Sequence, residues 1–349
     1  MRSDSSSPLR AAVVGYGAYG SLHARKYLEH PGVRLVAVVD CNPARLCAAR
    51  NELPGVKTFN DPDALIGLAD IASVVVPATR HHAIARRLLE GSTHLLVEKP
   101  FTASLAEARE LSSIAEAHER VLQPGYLERF NRTLSELRAR LPSPRYVEAR
   151  RLTRWRDRGR DVNVVMDLMI HDIDMLLALT DSPVTHIQAR GVRVFSDQWD
   201  VVNAQLHFVN GCVANLTASR ASPESERRLH VFSEHACALA DIDTGTLHLH
   251  QRKDGASGVI TECRFRRHGD PLADEIDAFV QAVRLHHPPP VTAMDACCAL
   301  NVAERITELM EPDDDLLTRT SAPLTNSERA IAYLLQQRDH ARPRHHPPA

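Results

Sequence analysis

The chain has 349 residues, 44% of them apolar and 25% charged, which is enough for two globular domains and too balanced for a disordered or fibrous protein. A formal net charge of -2 gives no long-range pull toward nucleic acid or an anionic membrane, so neither is expected as a partner, and any anionic ligand must be met by a local basic cluster. Seven cysteines without CxxC spacing suggest neither a zinc ribbon nor a secreted disulfide framework, and reduced thiols in a cytoplasmic protein are the expectation.

The polar opening Met1–Pro8 has no signal-peptide pattern, and no run of ~18 apolar residues follows that could span a bilayer. From Leu9 to about Leu122, short aliphatic runs (Ala11–Val14, Val33–Asp40, Ile71–Val76, His94–Val97) alternate with longer amphipathic stretches. That alternation predicts βαβ units, and runs apolar on both faces predict parallel strands covered by helices on each side. Residues 1–122 are therefore read as a doubly wound Rossmann domain. Beyond Gln123-Pro124-Gly125 come an Arg-rich stretch, a helix candidate over Val164–Leu179, and alternating segments at Ile187–Phe195, Val201–Val209, Cys212–Ala218 and Arg228–Phe232. Asn210-Gly211 reads as a hairpin turn, and Leu272–Leu285 and Asp295–Met310 read as closing helices. Residues 123–311 are thus expected to form an α+β domain with a large open, mostly antiparallel sheet, and 312–349 a partly mobile extension.

Gly15-Tyr16-Gly17-Ala18-Tyr19-Gly20 is a complete G-x-G-x-x-G between a strand and a helix pattern. In that setting the first glycine permits the turn, the second lets backbone approach a pyrophosphate, and the third lets helix and strand pack closely. The second strand ends at Asp40, about twenty residues on, where an acid meets ribose hydroxyls. A carboxylate there repels a 2′-phosphate, so NAD is favoured over NADP, although Arg45 partly offsets the repulsion. An incidental glycine turn with a solvated acid is the alternative, and it does not explain the three features together.

Glu98-Lys99-Pro100 ends another predicted strand. The proline pushes Lys99 to extended geometry, its peptide bond is a candidate for cis, and the lysine falls on the sheet edge where ligands of open α/β sheets bind. A surface lysine at a strand end is the plain alternative. Asp167 and His171, four apart, share a helix face with Cβ atoms ~6 Å apart, a spacing that suits a proton acceptor and its neighbour. Asp172 and Asp174 read as a solvated face or a cap. A metal site is the other reading of such a cluster, but alcohol oxidation by a nicotinamide needs no metal when a base is present, and none is expected. Seven arginines between Arg145 and Arg160 offer forks for phosphate oxygens, and Arg156 and Arg160 stand nearest the helix candidate. A salt-bridged surface ribbon explains some of them equally well.

The glycine fingerprint, Pro77-Ala78-Thr79-Arg80-His81, Glu98-Lys99-Pro100 and the Asp167/His171 spacing occur in an order that resembles the Gfo/Idh/MocA family of oxidoreductases over about residues 9–310. The resemblance implies catalysis by Lys99, Asp167 and His171, with Pro77, His81, Glu98 and Lys99 joining residues 15–20 and Asp40 around the cofactor. It also implies a homodimer or tetramer assembled through the second domain's sheet. Gly125–Asn131, Asp161–Asp174 and Ser219-Arg220 are most similar to members that oxidise C3 of UDP-N-acetylglucosamine. That likeness implies a UDP-sugar substrate with Tyr126, Arg129, Asn131, Arg156, Arg160 and His171 as contacts, and a PLP-dependent aminotransferase of an amino-sugar or lipid A pathway as the next enzyme. A dehydrogenase of a free polyol or sugar, with no need of a phosphate clamp, and a non-catalytic dinucleotide-binding regulator are the rival readings.

Overall fold

A computed structural model describes residues 7–155, 162–252, 259–263 and 269–310. They divide into two compact units, Met1–Arg132 with His268–Asn301, and Thr133–Arg267 with Val302–Ala349.

The first unit begins with β1 (Leu9–Val14), α1 (Ala18–Glu29), β2 (Val33–Val39), α2 (Pro43–Glu52), β3 (Lys57–Phe59), β4 (Ile71–Val74), α3 (His81–Glu90), β5 (His94–Glu98), α4 (Leu105–Ala117) and β6 (Leu122–Gly125). The strands form one parallel sheet in the order β3-β2-β1-β4-β5-β6. Successive strands run outward from β1 to β3 and then resume beyond β1 at β4, so the order reverses at β1/β4 and opens a crevice at the strands' carboxyl ends. Ala11 to Val14 and Leu95 to Val97 are all buried, as covered parallel strands require. Local chemistry starts the helices: Asn42 accepts from the Ala44 N–H with Pro43 in the first turn, and Ser104 accepts from the Glu107 N–H.

The boundary expected after Leu122 falls inside β6. That strand contains Pro124, which is tolerated there because at the edge of a sheet a missing N–H costs nothing.

In the second unit, α5 (Arg132–Arg140) precedes β7 (Tyr146–Leu152), α6 (Ile170–Thr180), β8 (Val184–Val192), β9 (Val201–Phe208), β10 (Val213–Ser219), β11 (Glu226–Ser233), β12 (Ala236–Asp241), β13 (Thr246–Gln251) and β14 (Val259–Cys263). These eight strands form a sheet in the order β14-β13-β12-β11-β7-β10-β9-β8, antiparallel throughout except where β7 and β10 run parallel. The β9–β10 connection runs from Val209 to Cys212 with Gly211 at φ +83°, wider than the two-residue turn expected from Asn210-Gly211. The strand expected over Ile187–Phe195 is placed earlier, at β8, because the chain from Val194 to Ser196 instead wraps the Asp200 carboxylate.

After this sheet, α7 (Pro271–Leu285) belongs again to the first unit. Asp270 caps it through the Leu272 and Ala273 N–H groups. Its Leu272, Ile276, Phe279, Val280 and Val283 complete the cluster built on Ala11, Val13, Tyr27 and Leu35. Finally α8 (Ala293–Glu308) carries the chain back to the second unit. Among the described residues no helix is long and apolar enough to cross a membrane.

Candidate active site

Parallel pairing brings the ends of β1, β2, β4, β5 and β6 to one edge of the first unit's sheet, and with them the glycine loop, Asp40, Pro77, Lys99 and Tyr126. The three glycines have different constraints. Gly15 holds φ +95°, and a Cβ there would lie 2.2 Å from the Val75 carbonyl oxygen; a Cβ on Gly20 would lie 1.8 Å from the Gly15 carbonyl oxygen. At Gly17 a Cβ would meet nothing nearer than the Arg45 guanidinium at 3.9 Å. Two glycines thus fix the turn and the third leaves open backbone at the start of α1, which is the cradle a dinucleotide pyrophosphate needs.

Asp40 is 4% exposed and also braces this loop. One of its oxygens accepts from the Tyr16 N–H at 2.7 Å and the other from the Asn42 N–H at 2.8 Å, with the Arg45 Nη1 3.4 Å away. A carboxylate has about four lone-pair sites, so these bonds leave acceptor capacity for a ribose hydroxyl. Tyr16 contributes backbone to the loop, while its hydroxyl donates to Glu52 and is pushed up to about 12 by burial and that carboxylate. Ala18 is exposed at the head of α1. Tyr19 packs edge-on to His23, and burial, with Glu98 and Glu275 nearby, raises its phenol well above the usual range.

Pro77 precedes a short 3₁₀ turn that leads into α3 at His81. The buried His81 ring sits 2.9 Å from the Pro100 carbonyl oxygen and 2.8 Å from that of Val76, so it ties the β5 turn to the β4 turn. Burial pushes its pKa down; the neutral ring has one N–H to give to these two acceptors. The Lys99–Pro100 peptide is cis. Lys99 is half-buried there, and its N–H donates to the Glu98 carboxylate.

Of the other residues picked from the sequence, Tyr126 is buried, Arg129 reaches to 3.9 Å from Asp295, and Asn131 closes a 3₁₀ turn through its N–H to the Glu128 carbonyl. Arg156 and Arg160 lie outside the described residues. Three other arginines of the same run have structural partners: Arg150 pairs with Glu226, Arg154 donates to the Pro223 carbonyl, and Arg151 is buried on Asp172.

In the second unit, Asn163 caps the segment that carries Asp167 and His171 by accepting from the Val165 and Met166 N–H groups. The segment is not a uniform α-helix as expected. Val165–Met169 is a π-helical turn that passes into α6, a widening often found at functional sites. Asp167 and His171 are half-buried. Asp172 and Asp174, expected on a solvated face, are instead 3% and 1% exposed, because that side of α6 is packed inward and Asp172 meets the Arg151 guanidinium there.

Sequence reasoning also missed Asp200. Its carboxylate accepts from three successive N–H groups, those of Val194, Phe195 and Ser196, from the Ser196 hydroxyl, and from the Arg220 Nε. Burial works against the charge, but these donors hold the carboxyl well below the ordinary range. Arg220 also donates to the Val162 carbonyl at 2.8 Å and so fixes the approach to the Asp167 turn. A lone acid in a loop carries no periodic signal, whereas Arg220 was visible as part of Ser219-Arg220.

Comparison with known proteins places this arrangement. Residues 9–126 match the model described as the oxidoreductase family with an NAD-binding Rossmann fold, GFO_IDH_MocA, and residues 133–238 match a GFO/IDH/MocA C-terminal domain. The chain is 36% identical over 285 residues to UDP-N-acetylglucosamine 3-dehydrogenase of Acidithiobacillus ferrooxidans, covering 80% of this chain and 90% of that protein. A solved structure of that enzyme superposes with a TM-score of 0.81 at 34% identity, over 87% of this chain and 98% of the other. The scyllo-inositol 2-dehydrogenase (NAD(+)) of Bacillus subtilis is 26% identical over 321 residues, covering 84% of this chain and 92% of that protein.

Proposed function

The chain belongs to the Gfo/Idh/MocA family of NAD-dependent oxidoreductases acting on CH–OH groups, and from that premise we propose that it oxidises the C3 hydroxyl of UDP-N-acetylglucosamine to the ketone. The carrying observation is the similarity to the Acidithiobacillus enzyme, which spans 80% of this chain and 90% of that protein and so supports a shared substrate as well as a shared cofactor. Bound NAD supplies the hydride acceptor. The glycine loop and Asp40 hold the dinucleotide, and the open backbone at Gly17 supports that assignment. His171 takes the hydroxyl proton, Asp167 orients the imidazole and stabilises its charged form, and Lys99 donates a hydrogen bond to the oxygen as negative charge builds. Arg129, Asn131, Tyr126, Arg156 and Arg160 are assigned to the nucleotide sugar, where guanidinium forks match the diphosphate.

A 3-keto sugar nucleotide is consumed by reductive chemistry or by amination, so a PLP-dependent aminotransferase in an amino-sugar or lipid A pathway is the fitting next enzyme. The reading further includes a cytoplasmic homo-oligomer built through the eight-stranded sheet. A free-polyol dehydrogenase is the second reading, favoured by the similarity to the inositol enzyme.

The test follows NADH formation with UDP-N-acetylglucosamine, UDP-glucose, myo-inositol, scyllo-inositol and glucose, with hydroxylamine trapping the ketone so that an unfavourable equilibrium does not hide turnover. Turnover confined to the UDP-N-acetyl sugar supports the proposal. Turnover confined to inositols or glucose overturns it.

A further inference from the structure

Behind the Lys99 turn, the first unit buries a chain of polar side chains that leads from Glu98 inward to α1. Tyr27 and His23, one turn apart on α1, both reach Ser73 on β4: the Tyr27 hydroxyl is 2.7 Å from the Ser73 Oγ, and the His23 Nδ1 is 3.0 Å from it. The other His23 nitrogen, Nε2, lies 3.1 Å from the Glu98 Oε1, and the Lys99 N–H donates to the second Glu98 oxygen at 3.2 Å. Tyr27, His23 and Ser73 are 0% exposed and Glu98 is 7% exposed. Burying such groups costs free energy unless each is paired, so their arrangement calls for a use.

The direction of every hydrogen in the chain follows from the partners. Glu98 faces Tyr19 and His23 of α1, Gly125 of β6, where a Cβ would lie 2.9 Å from Oε1, and Glu275 of α7. Glu98 accepts from the Lys99 N–H and has the His23 Nε2 beside its other oxygen, whereas neither carboxyl oxygen of the fully buried Glu275 has a hydrogen-bond partner among the described residues. Of the two acids, the proton therefore sits on Glu275 and the charge on Glu98; burial and the neighbouring Glu98 raise Glu275 well above the usual carboxyl range. An ionised Glu98 only accepts, so the His23 Nε2 must donate. In a neutral ring Nδ1 then accepts from the Ser73 hydroxyl, whose oxygen accepts from the Tyr27 O–H. A doubly protonated ring would make the Ser73 Oγ accept from both the His23 Nδ1–H and the Tyr27 O–H, and the Ser73 hydroxyl proton would lose the ring as its acceptor.

We infer that His23 is a positioning residue, locked by Ser73 and Tyr27 as the Nε2–H tautomer, which clamps Glu98 and through it the main chain at Lys99. The inference rests on the proposal that Lys99 hydrogen-bonds the reacting oxygen, since the clamp fixes where that ammonium starts from. His23 itself touches neither substrate nor cofactor in this scheme.

Two variants separate positioning from bulk structure. In His23→Gln the side-chain amide N–H replaces Nε2–H toward Glu98; in His23→Asn the amide reaches only as far as Nδ1, so Glu98 loses its side-chain donor and keeps only the Lys99 N–H. With the sugar identified by the panel above, His23→Asn is expected to lower kcat about ten- to a hundredfold, the equivalent of one hydrogen bond to a charged group. Its KM for NAD stays unchanged. His23→Gln restores kcat to within about threefold. Wild-type kcat in a folded His23→Asn overturns the inference, and so does an equal loss in both variants. A readout independent of turnover is the ¹⁵N spectrum of histidine-labelled protein, with the His23 signals identified by their absence in His23→Asn. An Nε2-protonated, Nδ1-unprotonated ring is expected, and any other form overturns the inference. Full turnover by Lys99→Ala would instead remove the proposed role of the lysine and leave the tautomer result standing, so the two failures are distinguishable.

Discussion

Arg151 grips Asp172 inside the second unit: its Nε and Nη2 lie 3.0 and 2.9 Å from the same carboxylate oxygen, and both side chains are almost wholly buried. The contact joins β7 to the first turn of α6, directly after the turn that carries Asp167 and His171.

Asp172→Ala is expected to strand that guanidinium and cost about 3–5 kcal/mol of stability. The double variant Arg151→Met/Asp172→Leu, which removes both charges, is expected to recover most of the loss. Urea denaturation of the three proteins measures it, and an Asp172→Ala as stable as the parent would contradict the buried pairing.

The glycine loop separates folding from cofactor binding. Gly17→Ala has room for its methyl and should keep the parent Tm while weakening NAD binding at least tenfold, because the added carbon occupies the pyrophosphate's approach. Gly20→Ala drives its methyl into the Gly15 carbonyl and should lower Tm outright. Thermal melts with and without NAD distinguish the two behaviours.

Asp40 bears on the choice of cofactor. Its carboxylate beside the Tyr16 and Asn42 N–H groups should keep kcat/KM for NAD above that for NADP, and Arg45→Ala should widen the ratio by removing the nearby cation. A preference for NADP in the parent would refute the assignment.

His171→Ala should lower kcat by about 10²–10⁴-fold, the usual loss on removing a general base, with the dissociation constant for NAD within about twofold of the parent. Stopped-flow turnover and cofactor titration measure the two separately. Undiminished turnover would assign the proton transfer to another group.

Glu275 gives stability a pH slope. Its folded carboxyl titrates above its unfolded value, so the native state holds a proton that the unfolded chain releases. The associated stability is fully present below the unfolded pKa of about 4.3 and is lost as pH rises toward the folded value, at about 1.4 kcal/mol for each unit between them. Glu275→Gln, which cannot ionise, should flatten the decline that begins above the unfolded value in denaturant titrations. Parallel slopes for parent and variant would place the proton elsewhere.

The first domain was legible in the sequence because covered parallel strands are apolar throughout and glycine spacing reports turn geometry directly. Val38, Val39 and Val74 fall where the aliphatic runs put them. β7 was not legible, for a physical reason: its inward positions are Val147, Ala149 and Arg151, and a charged residue at the third breaks the apolar alternation that marks a strand. The same arginine was credited to a phosphate-binding run, and Asp172 to a solvated face, because their mutual pairing spans 21 residues and leaves no local pattern. The Asp167/His171 spacing was readable, but the π-helical widening beneath it was not, since insertion of an extra residue into a turn has no compositional signature.

The place of α7 has a consequence for how the molecule is made. Its five apolar residues complete the first unit's interior, yet they leave the ribosome only after the whole eight-stranded sheet has been synthesised. A nascent or truncated chain that stops at Arg132 presents β1 and α1 with an open apolar trough, so no single cut liberates a finished nucleotide-binding module. Maturation of the amino-terminal half must wait for the carboxyl-terminal third.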